Sequence, residues 1–428
     1  MTTERIPTTI ISGGLGAGKT TLLNHLLTSA EKRDLAVVVN DMGDLNVDER
    51  LVANHVELGG ESELLGLENG CICCGLQGNL RDELFTLAHD CEFDHLVIEA
   101  SGISEPVPVA GLFVGRGPIG DRYELDTTVT VVDAPRFGAT FGPETLEREG
   151  TGENGMRPLS DLTVEQVEFC DVLVANKRDL LDENEVESIE RLLRVLQPDA
   201  ELLWTSFGQI SVEKILGTGR FDPERAQQAA GWKQALEAHS HVGHDHEGHS
   251  HDDHDHDEPD HSHGHDHDHL HPPEEYGVDS VVFEVQRPLH PKRFLDWLRD
   301  PPVDIVRTKG MVWVAGREEY ALTVGQAGKY ARVEADGRWV ASLPESQQNA
   351  HRDIESLWDE RGGDRRVQLV CIGVGLDERA ALYSLESCLL TDEEIEDDWE
   401  RFENPFPPRP DVDLVIERGE PIRTVSSL

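Results

Sequence analysis

Residues Gly13-Gly14-Leu15-Gly16-Ala17-Gly18-Lys19-Thr20 decide the fold, because of what stands on either side of them. A β-branched run at 8–12 precedes them, and a helical pattern follows from Thr20 to about Ala30. A strand, a glycine-rich turn and a helix N-terminus together make a P-loop. The glycines let backbone N–H groups wrap phosphates, and the helix dipole favours anions. Gly13, Gly14, Gly16 and Gly18 are therefore the candidate cradle, with Thr21 just inside the helix. Lys19 brings positive charge to the β/γ-phosphates, and the Thr20 hydroxyl suits Mg²⁺.

Further along, short β-branched runs at 36–40, 95–99, 128–133 and 172–176 alternate with helical patterns. That alternation predicts βαβ units and a parallel sheet, with functional loops where the strands end. The last run ends in Asn176-Lys177-Arg178-Asp179. A carboxylate at Asp179 can accept both N1–H and N2–H₂ of guanine, whereas adenine offers no matching donors, so the nucleotide is GTP. Asn176 and Lys177 belong to the same base-binding set. The run 95–99 ends in Glu99, followed by Ala100-Ser101-Gly102. This is the Walker B position, where Glu99 can hold Mg²⁺ and Gly102 can approach the γ-phosphate. Lys19 and Glu99 are the candidate catalytic residues. Asn40-Asp41-Met42-Gly43-Asp44 stands where a switch loop would lie. Asp41 and Asp44 suit metal or water ligands there, and suit a solvated loop equally well.

Between the P-loop and Glu99 lies Gly70-Cys71-Ile72-Cys73-Cys74-Gly75. Thiolates select Zn²⁺, Cu⁺ and similar ions over Mg²⁺. Neighbouring Cys73 and Cys74 point apart on most backbones, so Cys71, Cys73 and Cys74 predict an open site able to release its metal. Its place in the chain gives nucleotide state a route to alter metal affinity. Cys91, Cys170, Cys371 and Cys388 are scattered and read as buried, inert thiols.

Composition sets limits on the rest. The chain has 428 residues, long for one core, so two domains and a linker are expected. Its 38 Lys+Arg against 84 Asp+Glu give a net charge of −46, which excludes nucleic acid and anionic membranes as partners. The acids are spread over the whole chain, which suits work at multimolar salt, where the Debye length falls to ~3 Å or less. No apolar stretch reaches the ~18 residues of a membrane span, and a cytoplasmic location is expected. Fourteen of the 20 histidines fall between His239 and His271, in a tract of His, Asp, Gly, Ser and Glu. With no apolar period, residues 236–275 are expected to be a disordered linker. Its imidazoles and carboxylates can act as a metal reservoir or merely as a solvated connector.

Order is expected to resume at Tyr276. Strands are predicted at 278–285, 303–309, 311–315, 338–341 and 368–374, with helices at 290–298 and 377–388, and an irregular tail from Asn404. The fold class that results is α/β: a P-loop NTPase G domain over 1–235, with a mostly parallel sheet and flanking helices. A smaller α+β domain follows at 276–428, built on an antiparallel sheet.

Taken together, Gly13–Thr20, the Cys71-Ile-Cys-Cys74 motif, Glu99-Ala-Ser-Gly102 with Pro106, and Asn176–Asp179 resemble the CobW/HypB/UreG-type GTPases. The match is to their CobW-like branch of zinc- and cobalt-handling metallochaperones. Arg307-Thr-Lys-Gly310, Trp313, Gly363-Asp-Arg-Arg366, Cys388-Leu-Leu-Thr391 and Pro405-Phe-Pro407 are similar to that branch's C-terminal domain. The resemblance implies GTP hydrolysis and delivery of Zn²⁺, or Co²⁺ for corrinoid synthesis, to an unidentified metalloprotein client. A passive metal store is the reading from another class, and intact Lys19, Thr20, Glu99 and Asp179 argue against it. The family's switch commonly reads Asn-Glu-Phe-Gly, where this chain has the shorter carboxylate of Asp41.

Overall fold

Strands that read as unbroken β-branched runs need cover on both faces, and a parallel sheet between helix layers provides it. The computed structural model describes residues 5–30, 33–39, 64–66, 93–114, 117–141, 159–228, 278–302, 305–348, 358–417 and 423–426, with isolated positions at 80, 81, 84, 85, 87 and 233. The first sheet joins β1 (Ile6–Ser12), β2 (Leu35–Val39), β3 (Leu64–Gly66), β4 (His95–Glu99), β5 (Tyr123–Asp133), β6 (Val172–Asn176) and β7 (Glu201–Trp204). Their spatial order is β3-β2-β4-β1-β5-β6-β7, and every pairing is parallel. β2, β4 and β6 are buried along their whole length.

Side chains alternate between the two faces of this sheet, as a period of two requires. Ile11, Val37 and Val97 pack with Leu22, Leu23 and Leu26 of helix α1 (Lys19–Ser29) on one face. Ile10, Val38, Leu96 and Ile98 pack with Val109, Phe113 and Tyr123 on the other. Parallel strands place all their carboxyl ends on one edge. Ile11 lies beside Glu99, and Asp133 beside Asn176, so the candidate residues collect there.

The second sheet joins β8 (Val278–Val285), β9 (Ile305–Val312), β10 (Tyr320–Ala327), β11 (Tyr330–Arg338), β12 (Val367–Val374), β13 (Val412–Glu417) and β14 (Arg423–Ser426). Its order is β14-β13-β11-β10-β9-β12-β8, and all pairings are antiparallel. One face buries Leu369, Cys371, Val312 and Val324 with Phe294, Leu298 and Leu385 from the helices Pro291–Arg299 and Glu378–Glu386. Val370 and Ile372 of the opposite face meet Val195 of the helix Glu183–Leu196 in the nucleotide half.

Three sequence expectations are corrected here. The strands expected at 303–309 and 311–315 are instead one strand, β9 (Ile305–Val312), which crosses Gly310 and ends before Trp313. A Cβ at Gly310 would stand 2.0 Å from the Gln368 carbonyl oxygen, so the glycine marks close strand approach rather than a break. Residues 338–341 end β11 and enter the 3₁₀ turn Val340–Ser342. The tail beyond Asn404 is not wholly irregular: after its prolines, β13 pairs with β11, burying Leu414 and Ile416. Among the described residues no helix is long and apolar enough to cross a membrane. The linker expected at 236–275 lies outside the described residues.

Candidate nucleotide site

At the end of β1, Gly13 takes φ +133°, and a Cβ there would stand 2.1 Å from the Val131 oxygen of β5. Gly18 takes φ +107°, and its Cβ would meet Asn176 Nδ2 at 2.3 Å. Only glycine serves at either position, for backbone conformation and for space. The turn then opens α1 with Gly18 as its cap. Lys19 is buried, and its ammonium donates to the carbonyls of Gly13 at 2.9 Å and Gly14 at 3.3 Å, so the charge sits inside the loop. Gly16 is left-handed at φ +75°, and Thr21 follows in the first turn of α1.

Thr20 Oγ1 donates to Glu99 Oε1 at 2.8 Å, joining the first turn of α1 to the end of β4. A hydroxyl and a carboxylate so placed beside a phosphate cradle are two hard oxygen donors. They fit a small hard cation such as Mg²⁺ better than a soft ion. Glu99 is 3% exposed, so a charge there is met by the site and not by bulk water. After it, Gly102 lies against the P-loop, where a Cβ would approach Leu15 N and Cδ2 at 2.8 Å. Ser104 closes this turn, its hydroxyl donating to Ser101 O at 2.8 Å.

Asn176 ties three segments together. Its Nδ2 donates to Ala17 O of the P-loop at 2.9 Å, and its Oδ1 accepts from the Gly208 N–H at 3.3 Å. Lys177 adopts a left-handed φ of 65° and pairs with Asp133 at 2.5 Å. The Asp179 N–H donates to Ser206 Oγ at 3.2 Å. Leu180 and Phe207, both flanking Asp179 through that contact, are 65% and 68% exposed. Two large apolar side chains thus stand in water on either side of the Asp179 segment. Thr205-Ser206-Phe207-Gly208 was not among the candidate residues, although its Ser/Gly pair is a loop signal. Neither was Asp133, whose partner Lys177 is 44 residues away.

Cys71, Cys73, Cys74, Asp41, Asp44 and the histidine tract lie outside the described residues. Among the described residues no group of three or more His, Cys, Asp or Glu side chains is arranged to hold a metal. Cys170, Cys371 and Cys388 are buried free thiols, and burial pushes Cys371 to about 12 and Cys388 to about 11. Such groups stay protonated and do not compete for metal.

Residues 7–203 match the family model described as CobW/HypB/UreG, nucleotide-binding domain, and residues 278–389 match the cobalamin synthesis protein cobW C-terminal domain. A relative from Dictyostelium discoideum, named zinc-regulated GTPase metalloprotein activator 1, is 32% identical; the alignment covers 94% of this chain and 84% of the relative. The zinc chaperone YjiA of Escherichia coli is 30% identical over 50% of this chain and 62% of its own. Among solved structures, Zn(II)-bound YjiA GTPase from E. coli covers 90% of this chain and 99% of its own, at 19% identity and a TM-score of 0.38.

Proposed function

Because this chain belongs to the CobW/HypB/UreG family, we propose that it is a GTP-hydrolysing metallochaperone that carries zinc at Cys71, Cys73 and Cys74 and passes it to a client metalloprotein in the cytoplasm. The observation that supports this reading is the Thr20–Glu99 hydrogen bond of 2.8 Å, between two oxygen donors beside the P-loop that would suit a cation. The relatives' names, a zinc-regulated GTPase metalloprotein activator and a zinc chaperone, support zinc as the cargo. Cobalt is the second reading, favoured by the description of the C-terminal match.

Each residue then has a role in the nucleotide cycle. Gly13, Gly14, Gly16 and Gly18 present N–H groups to the phosphates, and Lys19 swings from the loop carbonyls to the β/γ-oxygens. Thr20 and Glu99 would hold Mg²⁺, which when bound neutralises the charge growing on the phosphate oxygens. Asp179 reads guanine, Lys177 and Phe207 flank the ring, and Asn176 keeps the base loop in register with the P-loop. The Gly102 N–H meets the γ-phosphate. The cysteine motif stands in the chain between Thr20 and Glu99, so movement at the γ-phosphate re-aims its thiolates.

Linkage makes this testable, since metal that tightens GTP binding must bind more tightly in the GTP state by the same factor. Zn²⁺ and Co²⁺ are titrated against a competing chelator into protein lacking 239–271, in GTP-analogue and GDP states. The expected ratio of affinities is roughly 5- to 150-fold. Equal affinities, or no effect of Cys73→Ser, would favour passive storage.

A further inference from the structure

Against the P-loop residues Gly14, Leu15 and Ala17 lies a cavity of about 270 Å³. Leu15, Gly102, Phe137 and Phe141 give it apolar walls, and Ser160 and Gln166 of the helix Leu159–Glu168 supply polar ones. Gly14 and Gly102 of the candidate nucleotide site belong to its wall, whereas Lys19, Thr20, Glu99 and Asp179 do not, so the cavity shares an edge with that site and extends from it toward Phe141 and Gln166.

The polar groups are what point to a ligand. Gln166 is fully buried, and its Nε2 donates to the Ser104 carbonyl at 3.0 Å. A carbonyl can only accept, so this bond fixes which way the amide faces. Its Oε1 is left as a buried acceptor with no hydrogen-bond partner. Ser160, 7% exposed, likewise has a buried hydroxyl with no partner. Buried acceptors are rarely left unmet, because their desolvation is then uncompensated. A dry apolar cavity of about 150 Å³ already holds a benzene ring. The larger volume here takes a fused two-ring molecule.

We propose that this cavity is a second binding site, for a small bicyclic aromatic molecule that carries an N–H donor, of the indole class. The rings fill the space between Leu15 and the two phenylalanines, and the N–H meets Gln166 Oε1. Leu15 and Gly102 belong to the P-loop and to the turn after Glu99, so an occupant is an effector of nucleotide binding. That second step, unlike binding itself, rests on the nucleotide reading above.

Calorimetric titration of the full chain with indole, and with benzofuran, which has the same shape but no N–H, tests the proposal with neither nucleotide nor metal added. Indole is expected to bind with a submillimolar Kd and benzofuran roughly tenfold more weakly or worse. Thr163→Phe, at a half-buried position on the cavity wall, is expected to fill the space and abolish binding while circular dichroism and thermal unfolding show that the fold persists. No indole binding, or full binding by Thr163→Phe, would overturn the site, and equal binding of benzofuran would overturn the N–H contact to Gln166 Oε1 that defines the ligand class. GDP affinity that is the same with and without saturating indole would overturn the effector role and leave the site itself standing.

Discussion

Arg307 of β9 donates from Nε to Glu168 Oε1 at 2.9 Å and from Nη2 to Oε2 at 3.2 Å, so a residue of the second sheet grips a helix of the nucleotide half across 139 positions. Nη1 adds Asp161 at 3.4 Å, and the Arg307 side chain is fully buried. The same helix carries Gln166, bonded to Ser104 in the turn that follows Glu99. One ion cluster thus joins the second sheet to the element that rests on the nucleotide site.

Removing one partner of such a pair strands the other charge. Arg307→Met is expected to destabilise the full chain by about 3–5 kcal/mol, and Arg307→Met with Glu168→Gln to recover much of it. Burial raises the Glu168 pKa and the guanidinium opposes that rise. Without Arg307 the rise is larger, and a carboxyl whose folded value exceeds its unfolded one contributes stability that is lost as pH climbs. The single variant's deficit in chemical denaturation should therefore shrink as pH falls. A deficit that is flat with pH, or unrelieved in the double variant, would contradict an ionised pair.

On the proposed function, base choice rests on Asp179. Asp179→Asn is expected to weaken GTP by roughly 10- to 100-fold, the loss of hydrogen bonds to a charged group at ~1.5–3 kcal/mol, and to gain xanthine nucleotides. Lys19→Ala is expected to abolish hydrolysis. Competition of ATP with GTP at equal strength in wild type would refute the base assignment.

Burial pushes the His95 imidazole down from 6.5 to about 4, with Asp126 opposing and Arg33 adding to the shift. Thr9 Oγ1 donates to Ile215 O, so it accepts from His95 Nε2 at 2.9 Å, and the ring is neutral with its proton on Nε2. A folded value below the unfolded one gives stability that is complete above 6.5 and is lost as pH falls toward 4. The full loss is about 3 kcal/mol. The stability gap between wild type and His95→Gln should be constant above pH 6.5 and shrink as pH falls toward 4. Parallel curves would place the proton elsewhere.

Deleting 239–271 is expected to leave GTP hydrolysis unchanged and to lower the number of Zn²⁺ or Co²⁺ ions bound per chain. Metal analysis after dialysis reads the count directly. An unchanged count reduces the tract to a connector.

The sequence by itself determined the features whose signals are local. The P-loop is eight contiguous residues between a strand and a helix. Asn176–Asp179 ends a strand whose five residues are all buried, and β4, β6 and β8 stand where their β-branched runs placed them. Where the pattern was broken by a tolerated exception it misled: Gly310 read as an interruption within β9, and the prolines before β13 hid a strand that its pairing with β11 secures. Only the tertiary structure decided which distant residues meet. Glu99 reaches Thr20 across 79 positions, Asn176 reaches Ala17 across 159, and Arg307 reaches Glu168. The cavity beside Leu15 has walls from four separate segments. Such contacts depend on strand register and on the angle at which a helix lies across a sheet. Those are set by the packing of whole faces, which no short window of sequence contains.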